Sequence, residues 1–273
     1  MGAILEAERQ GLLPFQSPRD EKWTAERILS IRHWTDSLLS FRLTRYRGFR
    51  FTAGQYVRLG LADERGEIVW RPFSVVSASY DEHLEFIAIL VPDGAFSERL
   101  AMLRPGDEML VEKASMGYLT LDQLAPGRDL WLLASGSGLG PFLSILREPQ
   151  VWQDFERLVV AHSVRRADEL AYREDILALS LDELFEGARA KLAYLPVVTR
   201  EPGATALSAR LQQLLADGSL EAAARVALTR EDARVMICGN PQMAQELREA
   251  LAARGLRTTR RGVLGQMALE NYW

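Results

Sequence analysis

Short alternating or apolar runs, separated by turn residues, fill the chain from Trp23 to about Leu124. Alternation with a period of two predicts strands that bury one face, and the separators supply Gly, Asp and Pro where the chain must reverse. About six such strands, with little room for helices between them, predict an antiparallel barrel or sandwich. The runs are ILSIRHW, SLLSFRLTR, QYVRLGL, FSVVSAS, LEFIAIL and EMLVEKA.

After Pro126 the pattern changes to buried apolar strands that alternate with helical segments. Strands rich in Val and Leu between helices predict a doubly wound parallel sheet. We therefore expect an N-terminal extension at residues 1–22, an antiparallel β unit at 23–125 and an α/β unit at 126–273. The predicted strands are RDLWLLASG, RLVVAHSV, KLAYLPVVT and ARVMICG, and the helical segments are PFLSILREPQVWQDF, ADELAYREDILALSLDELFE, ALSARLQQLLADG and PQMAQELREALAARG.

The composition narrows the class of protein. A length of 273 residues suggests about two domains, and 48% hydrophobic residues supply a real core. The single cysteine excludes a disulfide framework, a cysteine-held zinc site and an integral iron–sulfur cluster, which takes four thiolates. A net charge of -4 argues against nucleic-acid binding, and no apolar run approaches the roughly 18 residues of a membrane helix. Without an apolar N-terminal stretch for secretion, we expect a cytoplasmic protein, and nothing demands more than a monomer.

A glycine-rich segment, Ala134–Pro141, lies between a predicted buried strand and a predicted helix. Glycines there let the backbone approach a phosphate-bearing ligand, and a helix N-terminus offers free N–H donors. Pro141 suits the first helical position because its missing N–H would have no partner there. The spacing is G-x-G-x-G, which differs from the usual dinucleotide fingerprint, so a tight strand–helix turn without a ligand is the alternative.

Arginines follow two neighbouring strands of the predicted parallel sheet. Arg165 and Arg166 stand where an acidic residue would hold the ribose of NAD, and Arg200 and Arg210 follow the next strand. Guanidinium groups bind phosphate with two parallel hydrogen bonds, so together these residues favour NADP over NAD. The alternative is that each arginine lies on the surface and pairs with a nearby glutamate such as Glu169.

Two further motifs carry aromatic residues. The segment RPFS at 71–74 opens a strand with a cation, a ring and a hydroxyl, which would suit an anionic aromatic cofactor or simply form a routine strand. The chain ends in Asn271, Tyr272 and Trp273, and two terminal aromatics indicate docking onto a ligand or into the protein's own core. Arginines also cluster in two places, at Arg42, Arg45, Arg47 and Arg50 and at Arg254, Arg257, Arg260 and Arg261.

Together these motifs resemble the ferredoxin–NADP⁺ (flavodoxin–NADP⁺) reductase family, particularly its bacterial type. The resemblance covers roughly residues 23–273 and depends on the order of RPFS, LEFIAILVPDGAFSERL, LWLLASGSGLGPFLSIL, AHSVRRADELAY, VVTRE and MICGNPQM. It implies an N-terminal antiparallel β-barrel that holds FAD and a C-terminal α/β domain that binds NADP(H). Two departures stand out: the family pattern has tyrosine where this chain has Phe73, and alanine is common where it has Gly140.

The resemblance also implies the site residues. Ser74 is expected to assist at the flavin N5 and is the catalytic candidate. The FAD site would consist of Arg71, Pro72, Phe73, Ser74, Ile87, Ile89, Ala95, Phe96, Ser97, Ser137, Tyr272 and Trp273. The NADP(H) site would consist of Val164, Arg165, Thr199, Arg200, Arg210 and Asn240.

The reaction that the family implies is electron transfer from NADPH, by hydride to the flavin N5, to the one-electron carriers ferredoxin or flavodoxin. Such carriers are typically acidic, so either arginine cluster could steer their docking, although solvated faces with local ion pairs are the alternative. Two other functions stay open. One is the reductase component of an oxygenase, and the other is a non-catalytic nucleotide-binding module that senses redox state.

Overall fold

The computed structural model describes residues 22–270, and its first part is an antiparallel half-barrel. The elements of this part are β1 (Trp23–His33), β2 (Leu38–Thr44), β3 (Tyr56–Ala62), β4 (Ile68–Ser74), β5 (His83–Ile89), α1 (Ala95–Met102) and β6 (Glu108–Glu112). The six strands pair in the order β4-β3-β6-β1-β2-β5. Along β3, Val57 and Leu59 are buried whereas Arg58 between them is exposed, as a period of two requires.

The second part is a parallel sheet of five strands with helices on both faces. Its elements are β7 (Asp129–Ser135), α2 (Gly140–Leu146), α3 (Pro149–Asp154), β8 (Arg157–Val164), α4 (Arg173–Leu179), β9 (Lys191–Val198), α5 (Leu211–Ala216), α6 (Ser219–Ala224), β10 (Ala233–Cys238), α7 (Pro241–Ala253) and β11 (Met267–Glu270). The strand order is β11-β10-β7-β8-β9. The order therefore reverses at β7, and ligands of such sheets bind outside the carboxyl end of the strand at this switch point. The predicted fold class is confirmed.

Two hydrophobic cores flank the parallel sheet. Alternate residues of β7 point to opposite faces, so Leu132 packs with Phe142 of α2, whereas Leu133 joins the core under α7. The first core also contains Val76 and Ile87 of the half-barrel, and we call it the cross-boundary core. Within residues 22–270, no helix is long and apolar enough to cross a membrane.

One predicted strand is displaced. The run FSVVSAS predicts a strand, but the strand β4 ends at Ser74, where this run has barely begun. The next two residues turn away: Val75 N–H donates to the Gln55 carbonyl at 3.0 Å, and Val76 N–H donates to the Glu85 carbonyl at 2.8 Å. The prediction was wrong because the apolar run belongs to the segment that connects β4 to β5. This segment is buried, and it passes beside the start of β3 before it reaches β5.

The helices are shorter than predicted. The segment PFLSILREPQVWQDF divides into α2 and α3, because Pro149 follows an extended Glu148 and begins a new helix. Between residues 167 and 186 only α4 is an α-helix, with a 3-10 turn on either side. The sequence patterns also missed α1 and β11, which have 8 and 4 residues and are too short for a clear period.

Candidate functional site

The glycine-rich segment follows β7 at the point where the strand order reverses. It forms a 3-10 turn, Gly136–Leu139, before α2 begins. Gly138 packs directly on the loop after β10, since a Cβ there would lie 2.6 Å from the Cys238 carbonyl carbon and 2.7 Å from the next Cα. Asn240 N–H donates to Ser135 Oγ at 2.9 Å and ties the same two loops together. The glycines therefore allow the loops of two adjacent parallel strands to touch.

A groove of about 390 Å³, the barrel groove, lies between the half-barrel and the glycine-rich turn. Ile87 and Phe96 give it apolar walls, and Ser74 brings a hydroxyl. The Arg71 guanidinium donates to the Trp70 carbonyl at 2.8 Å, and no carboxylate of residues 22–270 lies within ion-pair distance of it. The groove brings together most of the predicted FAD residues, namely Arg71, Pro72, Phe73, Ser74, Ile87, Ile89, Phe96, Ser97 and Ser137.

The remaining predicted FAD residues are placed differently. Ala95 begins α1 and does not line the barrel groove, although the two residues after it do. Tyr272 and Trp273 lie outside the described residues. The predicted roles at these three positions therefore stay predictions.

The ring of Phe73 is held by other aromatic side chains. It lies 5.3 Å from the Phe96 ring and meets the edges of Phe41 and Phe86 at 6.2 and 6.3 Å between centroids. Such contacts fix the orientation of a ring beyond what burial alone does. Phe73 thus gives the barrel groove a rigid apolar wall where the family pattern has tyrosine.

A larger cavity of about 820 Å³, the sheet-edge pocket, lies at the carboxyl ends of the parallel strands. Ile89 lines both this pocket and the barrel groove, so the two cavities meet beside the glycine-rich turn. The pocket is lined by every predicted NADP(H) residue, namely Val164, Arg165, Thr199, Arg200, Arg210 and Asn240.

The arginines of the sheet-edge pocket differ in their partners. Arg165 pairs with Glu169 at 3.1 Å, and Arg166 pairs with Asp168 outside the pocket, so the surface ion pairs expected as the alternative do occur. For Arg200 and Arg210 no carboxylate within residues 22–270 lies at ion-pair distance. These two guanidinium groups are therefore the ones available to an anionic ligand.

Several lining residues were not predicted from the sequence. Ser208 and Gln242 are polar residues of the sheet-edge pocket, and Ser37 and Leu38 reach it from the half-barrel. The position of Ser208, two residues before Arg210, is a local signal that could have identified it. No local signal exists for Ser37, because it comes from the other unit of the chain.

A buried histidine, His162, contacts the glycine-rich turn at Gly136. The imidazole is 1% exposed, with Nε2 at 3.1 Å from the Gly136 carbonyl oxygen and Nδ1 at 3.4 Å from the Tyr194 hydroxyl. Because a carbonyl only accepts, Nε2 carries the proton, and the tyrosine hydroxyl then donates to Nδ1. Burial lowers the pKa of His162 to about 4, and the bond to Gly136 opposes this shift. The ring is therefore neutral at pH 7 and anchors a residue of the sheet-edge pocket.

Stability is expected to fall as the pH drops from 6.5 to about 4, because the unfolded chain protonates His162 in this range and the folded chain does not. The contribution of His162 present above pH 6.5 should decrease by about 2–3 kcal/mol across this range. His162→Gln keeps a donor for Gly136 and should flatten this part of a Tm–pH profile. The exposed His33→Gln is the control, and identical profiles for H162Q and the unchanged protein would contradict the assignment.

Part of each arginine cluster makes structural contacts, and in the second cluster Arg254 pairs with Glu221. Arg45 donates to the carbonyls of Ser79 and Phe49 at 2.9 and 3.0 Å, and Arg42 pairs with Glu85 at 3.5 Å. The second cluster precedes β11, which runs parallel to β10. It therefore lies toward the amino ends of the parallel strands, whereas the glycine-rich turn lies at their carboxyl ends. That either cluster steers the docking of an acidic carrier stays a prediction.

Comparison with known proteins identifies the class. The model of the "Oxidoreductase FAD-binding domain" matches residues 30–119, and that of the "Oxidoreductase NAD-binding domain" matches residues 132–249. The fold and the two adjoining cavities thus define a two-domain oxidoreductase with a flavin domain and a nicotinamide-nucleotide domain. The predicted cofactors, FAD and a nicotinamide nucleotide, are confirmed.

The family follows from individual relatives. The chain is 39% identical to the ferredoxin–NADP reductase of Pseudomonas aeruginosa, over 90% of this chain and 95% of that protein. It is 38% identical to the flavodoxin/ferredoxin–NADP reductase of Escherichia coli, over 92% and 99%. A crystal structure of a ferredoxin NADP⁺ reductase from Neisseria gonorrhoeae with bound FAD and NADP has a TM-score of 0.86 at 38% identity and covers 93% of this chain and 100% of its own. The chain belongs to the ferredoxin–NADP reductase family, as predicted.

Proposed function

We propose that this protein transfers electrons between NADPH and a one-electron carrier, ferredoxin or flavodoxin, through FAD in the barrel groove. The observation that carries the proposal is the junction at Ile89. There an apolar groove that contains Arg71 adjoins a pocket with two arginines that have no carboxylate partner within residues 22–270. The names of the relatives supply the acceptors, since they are called ferredoxin–NADP or flavodoxin/ferredoxin–NADP reductases.

The barrel groove has the chemistry that FAD requires. Its apolar walls suit a flat aromatic ring system, and the Arg71 guanidinium is available to a pyrophosphate. Gly138 and Gly239 line the groove, and their lack of side chains lets the two loops that form this wall pack against each other. When bound, FAD accepts a hydride from NADPH and passes electrons on singly. The single buried cysteine, Cys238, leaves any iron–sulfur centre to a separate carrier.

The chain's own residues bind the two cofactors, orient them and exclude water from the place where they meet. Ile87, Ile89 and Phe73 keep one side of the groove apolar, so water is excluded where the groove and the pocket meet. Arg200 and Arg210 supply cations for a 2′-phosphate, which supports NADPH over NADH as the coenzyme. No side chain of this set is required as a general base, because the transfer between nicotinamide and flavin needs positioning above all.

Ser74→Ala is expected to lower the rate of flavin reduction at saturating NADPH by up to about tenfold, the cost of one neutral hydrogen bond. Bound FAD should stay near one equivalent, because the apolar walls and Arg71 are unchanged. Ser115→Ala is the control, since Ser115 Oγ donates to the Arg50 carbonyl at 3.1 Å and Ser115 does not line the groove. Equal rate losses in both variants would remove the special role assigned to Ser74.

The acceptor is tested by rapid mixing of the NADPH-reduced protein with purified ferredoxins and flavodoxins. Carrier reduction at rates that match turnover is the expected result. If the purified protein neither contains nor takes up FAD, both enzyme functions, the ferredoxin or flavodoxin reductase and the oxygenase reductase component, would be contradicted. The non-catalytic nucleotide-binding module would then be the remaining alternative. Efficient electron transfer to an oxygenase, with none of the carriers reduced, would favour an oxygenase reductase component.

We also propose that the protein is a cytoplasmic monomer. The FAD-binding and NAD-binding family models both match within this one chain, which supports a monomer that carries both cofactor domains. Light scattering coupled to gel filtration should give a mass near 30.7 kDa for the apoprotein. A mass of twice this value would contradict the monomer.

A further inference from the structure

A buried carboxylate lies in the interface between the half-barrel and the α/β unit. Glu85, on β5, is 4% exposed. Its Oε2 accepts from the Arg147 guanidinium at 3.0 Å, and its Oε1 accepts from the Tyr172 hydroxyl at 2.9 Å. Both partners belong to the α/β unit, so one side chain of the half-barrel holds two groups of the other unit.

The partners of Glu85 are themselves fixed. Arg147 also donates to the Val76 carbonyl at 2.8 Å, and Tyr172 stacks at a tilt on Trp34 of the half-barrel, with 4.9 Å between the ring centroids. Tyr172 has a φ of 60°, in the left-handed region that residues other than glycine rarely adopt. Such a conformation persists only where the surroundings determine it. The protein therefore keeps a strained backbone to direct this phenol into the half-barrel.

Glu85 is ionised in this setting. Burial alone would raise its pKa, but Arg147, Arg42 and the Tyr172 hydroxyl lower the pKa below the usual range of a glutamate. A buried, ionised carboxylate that loses a partner is left with an uncompensated charge. Any shift of the α/β unit that separated Glu85 from Arg147 or Tyr172 would therefore be unfavourable, and this restricts how the two units can be arranged.

The same face of β5 continues toward the two cavities. Side chains two apart on a strand share a face, so Glu85, Ile87 and Ile89 form one row. Ile87 Cγ2 would lie 3.2 Å from a Cβ at Gly140, and Ile89 Cδ1 would lie 3.5 Å from one at Gly136. The row thus runs alongside the glycine-rich turn and α2. Ile89 lies at the junction of the two cavities, and Glu85, at the other end of the row, pairs with Arg147.

We propose that Glu85 is a positioning residue, which sets the α/β unit on the half-barrel through Arg147 and Tyr172 so that the sheet-edge pocket and the barrel groove stay joined at Ile89. The inference rests on the proposed electron transfer, because nicotinamide and flavin must meet at that junction. Glu85 lines neither of these two cavities. Its effect is on the distance between the two ligands and leaves the affinity for each unchanged.

The first test is Glu85→Gln, which keeps the shape of the side chain but removes its charge and presents an amide N–H₂ to a donor, either Arg147 or the Tyr172 hydroxyl. The rate of flavin reduction at saturating NADPH should fall about fivefold to tenfold, while KM for NADPH and FAD content stay within about twofold. Tyr172→Phe, which keeps the ring, should show the same split between kcat and KM. Glu148→Gln is the control, because it weakens another contact between the units, with Ser79, away from β5.

The second test measures the arrangement of the units directly. Spin labels at Arg65→Cys and Gln245→Cys, both exposed, report one distance across the holoenzyme, and the buried Cys238 should not react. Glu85→Gln should broaden this distance distribution, and Glu148→Gln should not. Wild-type rates in E85Q, or a lowered rate with an unchanged distribution, would each overturn the proposal. If NADPH fails to reduce the flavin of the unchanged protein, the proposed function fails, while the distance distributions still test the positioning.

Discussion

Replacing both Arg200 and Arg210 with methionine is expected to lower kcat/KM for NADPH at least about 100-fold, because each hydrogen bond to a charged group contributes about 1.5–3 kcal/mol. Methionine keeps an unbranched apolar stem and removes the charge. The two guanidinium groups line the sheet-edge pocket without a carboxylate partner among residues 22–270, so a phosphate there would not compete with an ion pair from this part of the chain. NADH lacks the 2′-phosphate, and its kcat/KM should change less than about twofold. Steady-state kinetics with ferricyanide as the acceptor provide the measurement.

Single variants separate the arginines of this region. Arg165→Met should have a smaller effect than Arg200→Met, because Arg165 already pairs with Glu169 at 3.1 Å and binding must compete with that pair. Arg166→Met should have none, since Arg166 does not line the pocket and pairs with Asp168. Equal losses with NADPH and NADH in the double variant would show that Arg200 and Arg210 do not read the 2′-phosphate.

Gly138→Ala is expected to destabilise the protein by at least about 3 kcal/mol, which corresponds to a Tm lower by roughly 6–12 °C. The new Cβ would overlap the Cys238 carbonyl and lie 2.7 Å from Gly239 Cα, and backbone atoms cannot move aside as the end of a side chain can. Because Gly138 also lines the barrel groove, FAD content should fall as the two loops separate. Thermal unfolding and the flavin absorbance of the purified variant measure both effects.

Gly140→Ala is the matched control for Gly138→Ala. The atoms nearest to its Cβ would all be side-chain atoms, of which Ile87 Cγ2 at 3.2 Å is the closest, and the residue has helical backbone angles, where alanine is favoured. The family commonly has alanine here, which agrees with this expectation. A Tm near that of the unchanged protein is predicted for Gly140→Ala, and equal losses in the two variants would refute the argument from backbone contact.

The parallel sheet was predictable from the sequence for a physical reason. Its strands are buried on both faces, so runs such as LWLLAS are apolar throughout, and a helix must follow each strand to return the chain. The glycine-rich turn and the arginines that line the sheet-edge pocket could be found because they follow directly on those strands. All six predicted NADP(H) residues accordingly line one pocket.

The buried contact at Glu85 could not be predicted in the same way. In the run LEFIAIL, Glu85 stands between Leu84 and Phe86, which is the ordinary place of a residue that faces solvent. It is buried because the α/β unit covers that face of β5, and its partner Tyr172 is 87 positions further along the chain. A local pattern records the period of a strand but gives no information on what packs against its outer face.

The cross-boundary core makes the two units poor candidates for exchange as modules. Val76 and Ile87 of the half-barrel share that core with Leu132 and Phe142 of the α/β unit. Cutting the chain near Pro126 would therefore expose apolar surface on both fragments. A chimaera that takes a coenzyme domain from another reductase must bring the matching residues of β5 with it. The residues of the cross-boundary core must therefore change together when either unit is exchanged.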